Sequence, residues 1–422
     1  MDDLGHALAS ASTDIIMLGG GQPARIPEMT AVWQQRLAEL TAEPGGIERA
    51  LTRYDPPRGN PRFLEAIASL LRDTFGWPIG PENIAITPGG QTAFFFLFNL
   101  LAGRMPDGTI RKKILLPLVP EYIGYANQGI DGNLFRAVPP LIETTGPHEF
   151  KYRVDFDRLE ITPDIAAICV SRPTNPTGNV LTDEEIARLA ALAKSHNIPL
   201  LIDNAYGAPF PGIIFEPATP FWAPEVVLTY SLSKIGLPGT RTGIVIGPPE
   251  IIRALGSLSA IVGLANPSIG QQILLPLVES GDILRLSSEV VKPFYQAKCT
   301  LARQAALAAF GDDIDWFMHR SEGAIFLWLW FPGLPITSYM LYQRLKQRGV
   351  LVIPGHYFFF GLDAPHWAHR DECIRVSYAV DEASVRDGMH IIAEEIRRAV
   401  AAKSATPERD APRTPASRPE WR

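Results

Sequence analysis

A lysine follows the apolar, strand-like run Val226-Val227-Leu228-Thr229-Tyr230, with two serines just before it and a Gly/Pro loop after it that closes on an arginine: Ser231-Leu232-Ser233-Lys234-Ile235-Gly236-Leu237-Pro238-Gly239-Thr240-Arg241. A lysine carried into a protein interior is costly unless it is paired or chemically used. Lysine amines condense with aldehydes to imines, and hydroxyl donors beside a guanidinium fork suit a phosphate. The stretch therefore fits a phosphorylated aldehyde, pyridoxal phosphate, with Lys234 on the aldehyde and Ser231, Ser233 and Arg241 on the phosphate. A surface-loop lysine also satisfies it, because short patterns recur by chance. The same residues match the Ser-x-x-Lys pattern of serine acyl-enzymes, but the Lys-Thr-Gly and Ser-Asp-Asn strings of that class do not occur.

Other residues with chemical potential sit where strands end. Leu200-Leu201-Ile202 runs straight into Asp203-Asn204-Ala205-Tyr206-Gly207. An ionised Asp203 there needs a strong partner, which a pyridinium nitrogen would supply; a turn or helix-cap role fits as well. Ile84 to Thr87, Pro88-Gly89-Gly90-Gln91-Thr92 and Ala93 to Leu101 read as strand, glycine turn and buried helix. That order offers free backbone N–H groups and a positive helix end to an anion. A turn needing glycine only for packing reads the same way. Lacking Gly-Lys-Ser/Thr, the turn does not favour ATP. Tyr122 follows the strand Lys113 to Leu116, at the sheet end where open α/β proteins place ligands. Gly19-Gly20-Gly21 is no dinucleotide fingerprint, because Pro23 and Pro27 continue a helix poorly.

The elements that must position these residues follow an α/β pattern. Ile165 to Val170 is a continuous apolar run, as expected of a parallel strand covered on both faces. After the loop Arg172 to Gly178, Thr182-Asp183-Glu184-Glu185 forms a capping box that opens a helix with Ile186, Leu189, Ala190 and Ala193 on one stripe. Strands are expected over Val226 to Lys234 and Gly243 to Gly247. Helices are expected over residues 30–40, 63–71, 251–277 (broken near Asn266-Pro267) and 282–310. Beyond these, strands near 324–330, 350–353 and 373–378 alternate with helices near 338–348 and 385–401. The pattern predicts an α/β fold with a three-layer, mainly parallel sheet. Residues 46–290 form its large domain and 291–402 a smaller α+β domain. The N-terminal segment 1–45 packs against that smaller domain, and the Pro-rich tail 403–422 is expected to be disordered.

Composition narrows the partners. The chain has 422 residues, 46% hydrophobic and 20% charged, and a net charge of −6, so nothing favours nucleic acid or an acidic membrane. Cys169, Cys299 and Cys373 are too few and too scattered for a disulfide framework or zinc site. The N-terminus lacks signal-peptide order, and the apolar run 93–102 is too short to span a bilayer, so a cytoplasmic protein is expected. His356, His366 and His369 share a loop without a metal motif and are expected at the surface; no metal is expected.

These signals form one ordered set: the glycine turn at 89–92, Tyr122, Asn-Pro-Thr-Gly at 175–178, Asp-x-x-Tyr at 203–206, Ser-x-Ser-Lys at 231–234, Arg241 and a strand arginine at 375. The set resembles the class I/II aminotransferases of the fold-type I pyridoxal phosphate enzymes, from about residue 14 to 400. The resemblance implies that Lys234 holds the cofactor and later moves the substrate's Cα proton. Asp203 would pair with the pyridine nitrogen, Asn175 and Tyr206 would bond the ring's 3-oxygen, and Tyr122 would stack on the ring. Gly90, Gln91, Ser231, Ser233 and Arg241 would bind the phosphate, and Tyr54 would reach the phosphate of a neighbouring subunit in a homodimer with shared active sites. Arg375, with the backbone near Gly21, would clamp the substrate α-carboxylate.

The implied reaction transfers an amino group between an aliphatic amino acid (valine or alanine) and a 2-oxo acid (pyruvate or 2-oxoisovalerate) in two half-reactions. The alternatives inside the same fold type are a C–S β-lyase and a transaminase of other specificity. A regulator of this fold would need an added DNA-binding segment, and none is expected ahead of the strand near Ile15. Two departures from the aspartate enzymes stand out. The phosphate turn reads Gly-Gly-Gln-Thr in place of Ser-Gly-Thr, and no second carboxylate-binding arginine is recognisable, which favours a neutral side chain. The run Tyr357-Phe358-Phe359-Phe360 is expected either in an apolar substrate pocket or in the core.

Overall fold

The computed structural model describes residues 15–105, 108, 111–363 and 367–405. His366 and all but the first three residues of the tail 403–422 lie outside that set. The central sheet has eight strands. Arg111–Leu116, Ile165–Ser171, Leu200–Asp203 and Val226–Ser231 run parallel side by side. Gly243–Ile246 runs antiparallel between Val226–Ser231 and Ile84–Thr87, and Gly103–Arg104 runs antiparallel to Arg111–Leu116 at the other edge, so the sheet is mainly parallel with a reversed strand toward each side. Every residue of Leu200–Asp203 and Val226–Ser231 is buried, which is why these strands read as unbroken apolar runs.

Local chemistry explains the helices that cover this sheet. Thr182 and Glu185 form the expected capping box, and Ile186, Leu189, Ala190 and Ala193 are buried beneath Asp183–Ser195. Asn60 caps Pro61–Phe75 by accepting from the Arg62 and Phe63 N–H groups, and Gly76 ends it in the left-handed region. Helix Gly90–Leu101 packs on the strands around Ile84–Thr87 and Val226–Ser231, but it is not buried all round: Phe95 is 37% and Leu100 38% exposed.

A second sheet of six strands runs in the order Ile353–Pro354, Cys373–Ser377, Phe326–Trp330, Phe317–His319, Glu149–Arg153, Leu141–Gly146. Its last two strands correct the assignment of the whole span 46–290 to the large domain. They form a hairpin from residues 141–153 that joins the C-terminal strands, Glu149–Arg153 pairing in parallel with Phe317–His319. Ile16–Met17 pairs in parallel with Val350–Leu351, but helix Pro27–Ala42 packs on Ile269–Glu279, so within the N-terminal segment it is the strand, not the helix, that lies with the C-terminal elements. The helix expected over 282–310 is two α-helical stretches, Asp282–Leu286 and Lys292–Phe310, joined by a π-helical turn at Ser287–Val291. His369, expected at the surface, is buried, its ring packed against Trp330 and Trp367 and its Nε2 bonded to the Tyr152 hydroxyl.

Candidate active site

Strand register places the chemistry. Ser171 and Thr229 lie on either side of Asp203 in the parallel ladder, Ser171 and Asp203 at the C-terminal ends of their strands and Thr229 two residues before the end of its own. Open α/β sheets bind ligands at that edge. Asp203 is buried, and its carboxylate accepts bonds from the Ala205 N–H at 2.8 Å, from the Thr229 hydroxyl at 3.3 Å and from the Tyr125 hydroxyl. Burial pushes the carboxyl above its ordinary range, and those donors, with the Lys234 charge, pull against it.

Strand Val226–Ser231 stops at Ser231, three residues short of the expected end. Lys234 instead rides a 3-10 turn, Leu232–Ile235, closed by Gly236 in the left-handed region at φ +99°. The Trp33 indole N–H donates to the Ile235 carbonyl at 3.1 Å and pins that turn. The Lys234 amine donates to the Gly21 carbonyl at 2.6 Å and lies 5.2 Å from the centre of the Tyr206 ring. Burial brings its pKa down to about 8; Arg375 and Arg241 push the same way and Asp203 opposes them.

One end of the site is built of anion donors. Gly90 begins helix Gly90–Leu101, and Ser231, Ser233 and Arg241 face the same space. Gly89, at φ +87°, is needed here, because a Cβ would sit 2.3 Å from the Arg241 guanidinium. The Gln91 amide is turned toward the Gly124 carbonyl at 2.9 Å. At the other end Arg375, from the six-stranded sheet, donates to the Asn175 side chain and to the Gly19 carbonyl, each at 2.7 Å. Its Nε is buried and, among the described residues, has no partner. The Asn175 loop is held by Gly178, at φ +71°, where a Cβ would meet the Gly323 carbonyl oxygen at 2.6 Å.

A cavity of about 420 Å³ connects these ends. Gly21, Gly90, Gln91, Tyr122, Asn175, Asp203, Tyr206, Ser231, Ser233, Lys234, Arg241 and Arg375 all line it. Tyr54 does not; it is 81% exposed. None of the residues 357–360 lines it either: Phe358 and Phe359 are core, and the apolar wall comes from Phe94, Ile123, Pro173 and Ile353, the last paired with Arg375 across the sheet. Sequence reasoning passed over Ile353, Thr229, Glu121 and Tyr125. Glu121 is fully enclosed, accepts from the Ser171 hydroxyl and N–H and from the Tyr122 N–H, and burial pushes its carboxyl up to about 8. Its position directly before Tyr122 was the one available signal.

The residues fit pyridoxal phosphate. The volume lies within the roughly 300–1,000 Å³ of small-molecule pockets. A buried carboxylate stands at one wall, an amine lies within reach, a serine–arginine cluster meets a helix start, and a buried guanidinium keeps an unpaired N–H. Comparison with known proteins agrees with this arrangement. Residues 133–392 match the model of the family Aminotransferase class I and II. Valine–pyruvate aminotransferase of Escherichia coli (strain K12) is 50% identical over 399 residues, covering 94% of each chain. A putative amino-acid aminotransferase from Psychrobacter arcticum 273-4 superposes with a TM-score of 0.92 at 45% identity over 95% of each chain. Valine–pyruvate aminotransferase from Salmonella typhimurium LT2 gives 0.88 at 48% identity, over 95% of this chain and 99% of that one. With its motifs gathered around one cavity, the chain belongs to the class I and II aminotransferases.

Proposed function

We propose that this aminotransferase uses pyridoxal 5′-phosphate to move an amino group between valine or alanine and pyruvate or 2-oxoisovalerate. The observation that carries the reading is the single cavity that Lys234, Asp203, Arg241 and Arg375 share. When bound, the cofactor supplies the aldehyde that takes up the amino group and a ring that withdraws electrons from Cα. The chain supplies the rest. Gly90, Ser231, Ser233 and Arg241 hold the phosphate, Asp203 holds the ring nitrogen, and Tyr122 covers a ring face. Asn175 and Tyr206 reach the ring's 3-oxygen, Asn175 through the amide nitrogen that its bond to Arg375 leaves free. Arg375 fixes the substrate carboxylate, close to the Gly19 and Gly21 backbone. Lys234, with an amine poised near neutrality, takes the Cα proton and returns it.

The cavity wall supports an apolar amino acid. Among the described residues its cationic side chains are Lys234, Arg241 and Arg375, each already assigned, which leaves none of them for a distal carboxylate. Ile353 and Ile123 stand beside the space left for the side chain. The name of the E. coli relative points to the same substrate pair. A homodimer belongs to this reading, with Tyr54 reaching the phosphate bound by a second copy. Tyr54, Leu51, Ile261 and Val262 are exposed in the single chain at 81%, 65%, 81% and 66%, apolar surface that a second copy would cover. A cytoplasmic location completes it, in keeping with three free buried cysteines; among the described residues, no helix is long and apolar enough to cross a membrane.

Absorbance spectra of the cofactor-loaded protein test the reading. Valine should bleach the cofactor band and pyruvate restore it, with alanine formed in step. Pyruvate released from a sulfur amino acid without any acceptor would instead mark a β-lyase.

A further inference from the structure

Behind the cavity wall stands a side chain that neither the motifs nor the proposed roles use. Tyr125 is fully buried, and its ring packs against Phe94 at 4.7 Å, edge-on to Phe98 at 5.2 Å and edge-on to Tyr122 at 5.1 Å. A phenol in such a place needs a partner for its O–H. It has one, Oδ2 of Asp203, whose Oδ1 is served by Ala205 and Thr229. We propose that Tyr125 is a positioning residue whose hydroxyl keeps the Asp203 carboxylate ionised and fixed in orientation for the cofactor's pyridine nitrogen. The inference rests on the cofactor reading above.

The physical case is one of opposed terms. Burial favours a proton on Asp203, while the neighbouring Glu121 carboxyl, pushed up to about 8, is neutral below that pH and adds no repelling charge. The Lys234 ammonium opposes burial from across the cavity. Tyr122 and Tyr206 from the cavity lining and Cys169 from the adjacent strand are further titratable groups around it, all neutral at ordinary pH because burial raises their pKa values. Of the donors to the carboxylate, Tyr125 is the only one to Oδ2 among the described residues. A neutral aspartic acid would offer the ring nitrogen a weaker hold than a carboxylate does.

Pyridoxamine phosphate, which forms no covalent bond to Lys234, is the probe. Its dissociation constant is measured by ultrafiltration from acid to neutral pH for the wild type, Tyr125→Phe and Phe98→Leu. The phenylalanine keeps the ring and deletes the hydroxyl; the leucine loosens the same packing and leaves the hydroxyl. Affinity should fall on the acid side as Asp203 takes up a proton. In Tyr125→Phe that fall should begin about one pH unit higher, the scale of one lost hydrogen bond to a charged group. It should stay in place in Phe98→Leu. A uniform loss of affinity in Tyr125→Phe, an unmoved acid limb, or equal shifts in both variants would overturn the proposal. In parallel, the infrared band of the protonated Asp203 carboxyl in the cofactor-free protein, identified by its loss in Asp203→Asn, should appear at higher pH in Tyr125→Phe. Failure of wild type to bind the probe would remove the cofactor reading, and the infrared titration alone would then decide what Tyr125 does to Asp203.

Discussion

Burial lowers the pKa of both Lys151 and Lys234, and the two amines are held in opposite ways. Lys151, on the hairpin strand, is 2% exposed and donates to the Glu322 carboxylate, to Oδ1 of Asn179 at 3.0 Å and to the Val180 carbonyl at 3.0 Å. Each of its three protons has an acceptor. Among the described residues Lys234 has one acceptor, a backbone carbonyl, with two arginines near enough to repel its charge. The difference teaches what makes a buried amine reactive. A saturated ammonium is a structural bolt; an under-partnered one facing a cavity is available to an aldehyde.

The sharpest way to break the comparison is to remove each amine. Lys234→Ala should abolish transamination while leaving the thermal midpoint near that of wild type. Lys151→Met should do the reverse. It leaves buried Glu322 with only the more distant Arg320, at 3.8 Å, as a cation, and breaking a buried pair in this way costs up to about 3–5 kcal/mol of stability. Activity per folded molecule should persist, because Val180 N–H still donates to Glu322 and anchors the Asn175 loop at 2.9 Å. Urea unfolding followed by circular dichroism measures the loss. The double variant Lys151→Met/Glu322→Gln should recover part of it. A Lys151→Met protein that folds normally and lacks activity would erase the distinction.

Ile353 offers a smaller effect. Its strand pairs it with Arg375, so a substrate clamped by its carboxylate brings its side chain toward Ile353. Ile353→Ala should shift the ratio of kcat/KM for valine over leucine by about tenfold toward leucine, the scale of a methylene-sized change in an apolar pocket. An unchanged ratio would place the specificity wall elsewhere.

The lysine comparison also marks how far the sequence could be read. The βαβ strands were legible because both faces of each are covered, so apolarity alone outlines them. The Thr182–Glu185 cap was legible because its partners are three residues apart. Most of the cavity lining was legible through the family's motifs, which are short and local. What stayed hidden was set by distant contacts. Glu149, Lys151 and Arg153 alternate with Phe150 and Tyr152 after Gly146-Pro147, a hairpin signal that went unused. Even with that signal, alternation would put Lys151 on the outer face; Glu322, far along the chain, buries it. Tyr125 escaped for the same reason, since no local pattern records its reach to Asp203.

The smallest effect sharpens the comparison most, because it reads the two amines directly. A protonated ammonium does not attack a carbonyl, so the labelling of Lys234 by a small aldehyde and a hydride donor should follow its neutral fraction. In the cofactor-free chain the rate should be level above about pH 8 and fall about tenfold per unit below it. The neighbours set the sign of each change. Arg375→Ala removes a positive charge, favours the ammonium and should raise the midpoint; Asp203→Asn removes the negative one and should lower it. Lys151, whose pKa burial also lowers, is held by Glu322, so it should stay unlabelled until the protein unfolds. Peptide mapping by mass spectrometry gives both rates from one sample. Equal labelling of the two lysines in the folded chain would mean that partner count does not govern their reactivity.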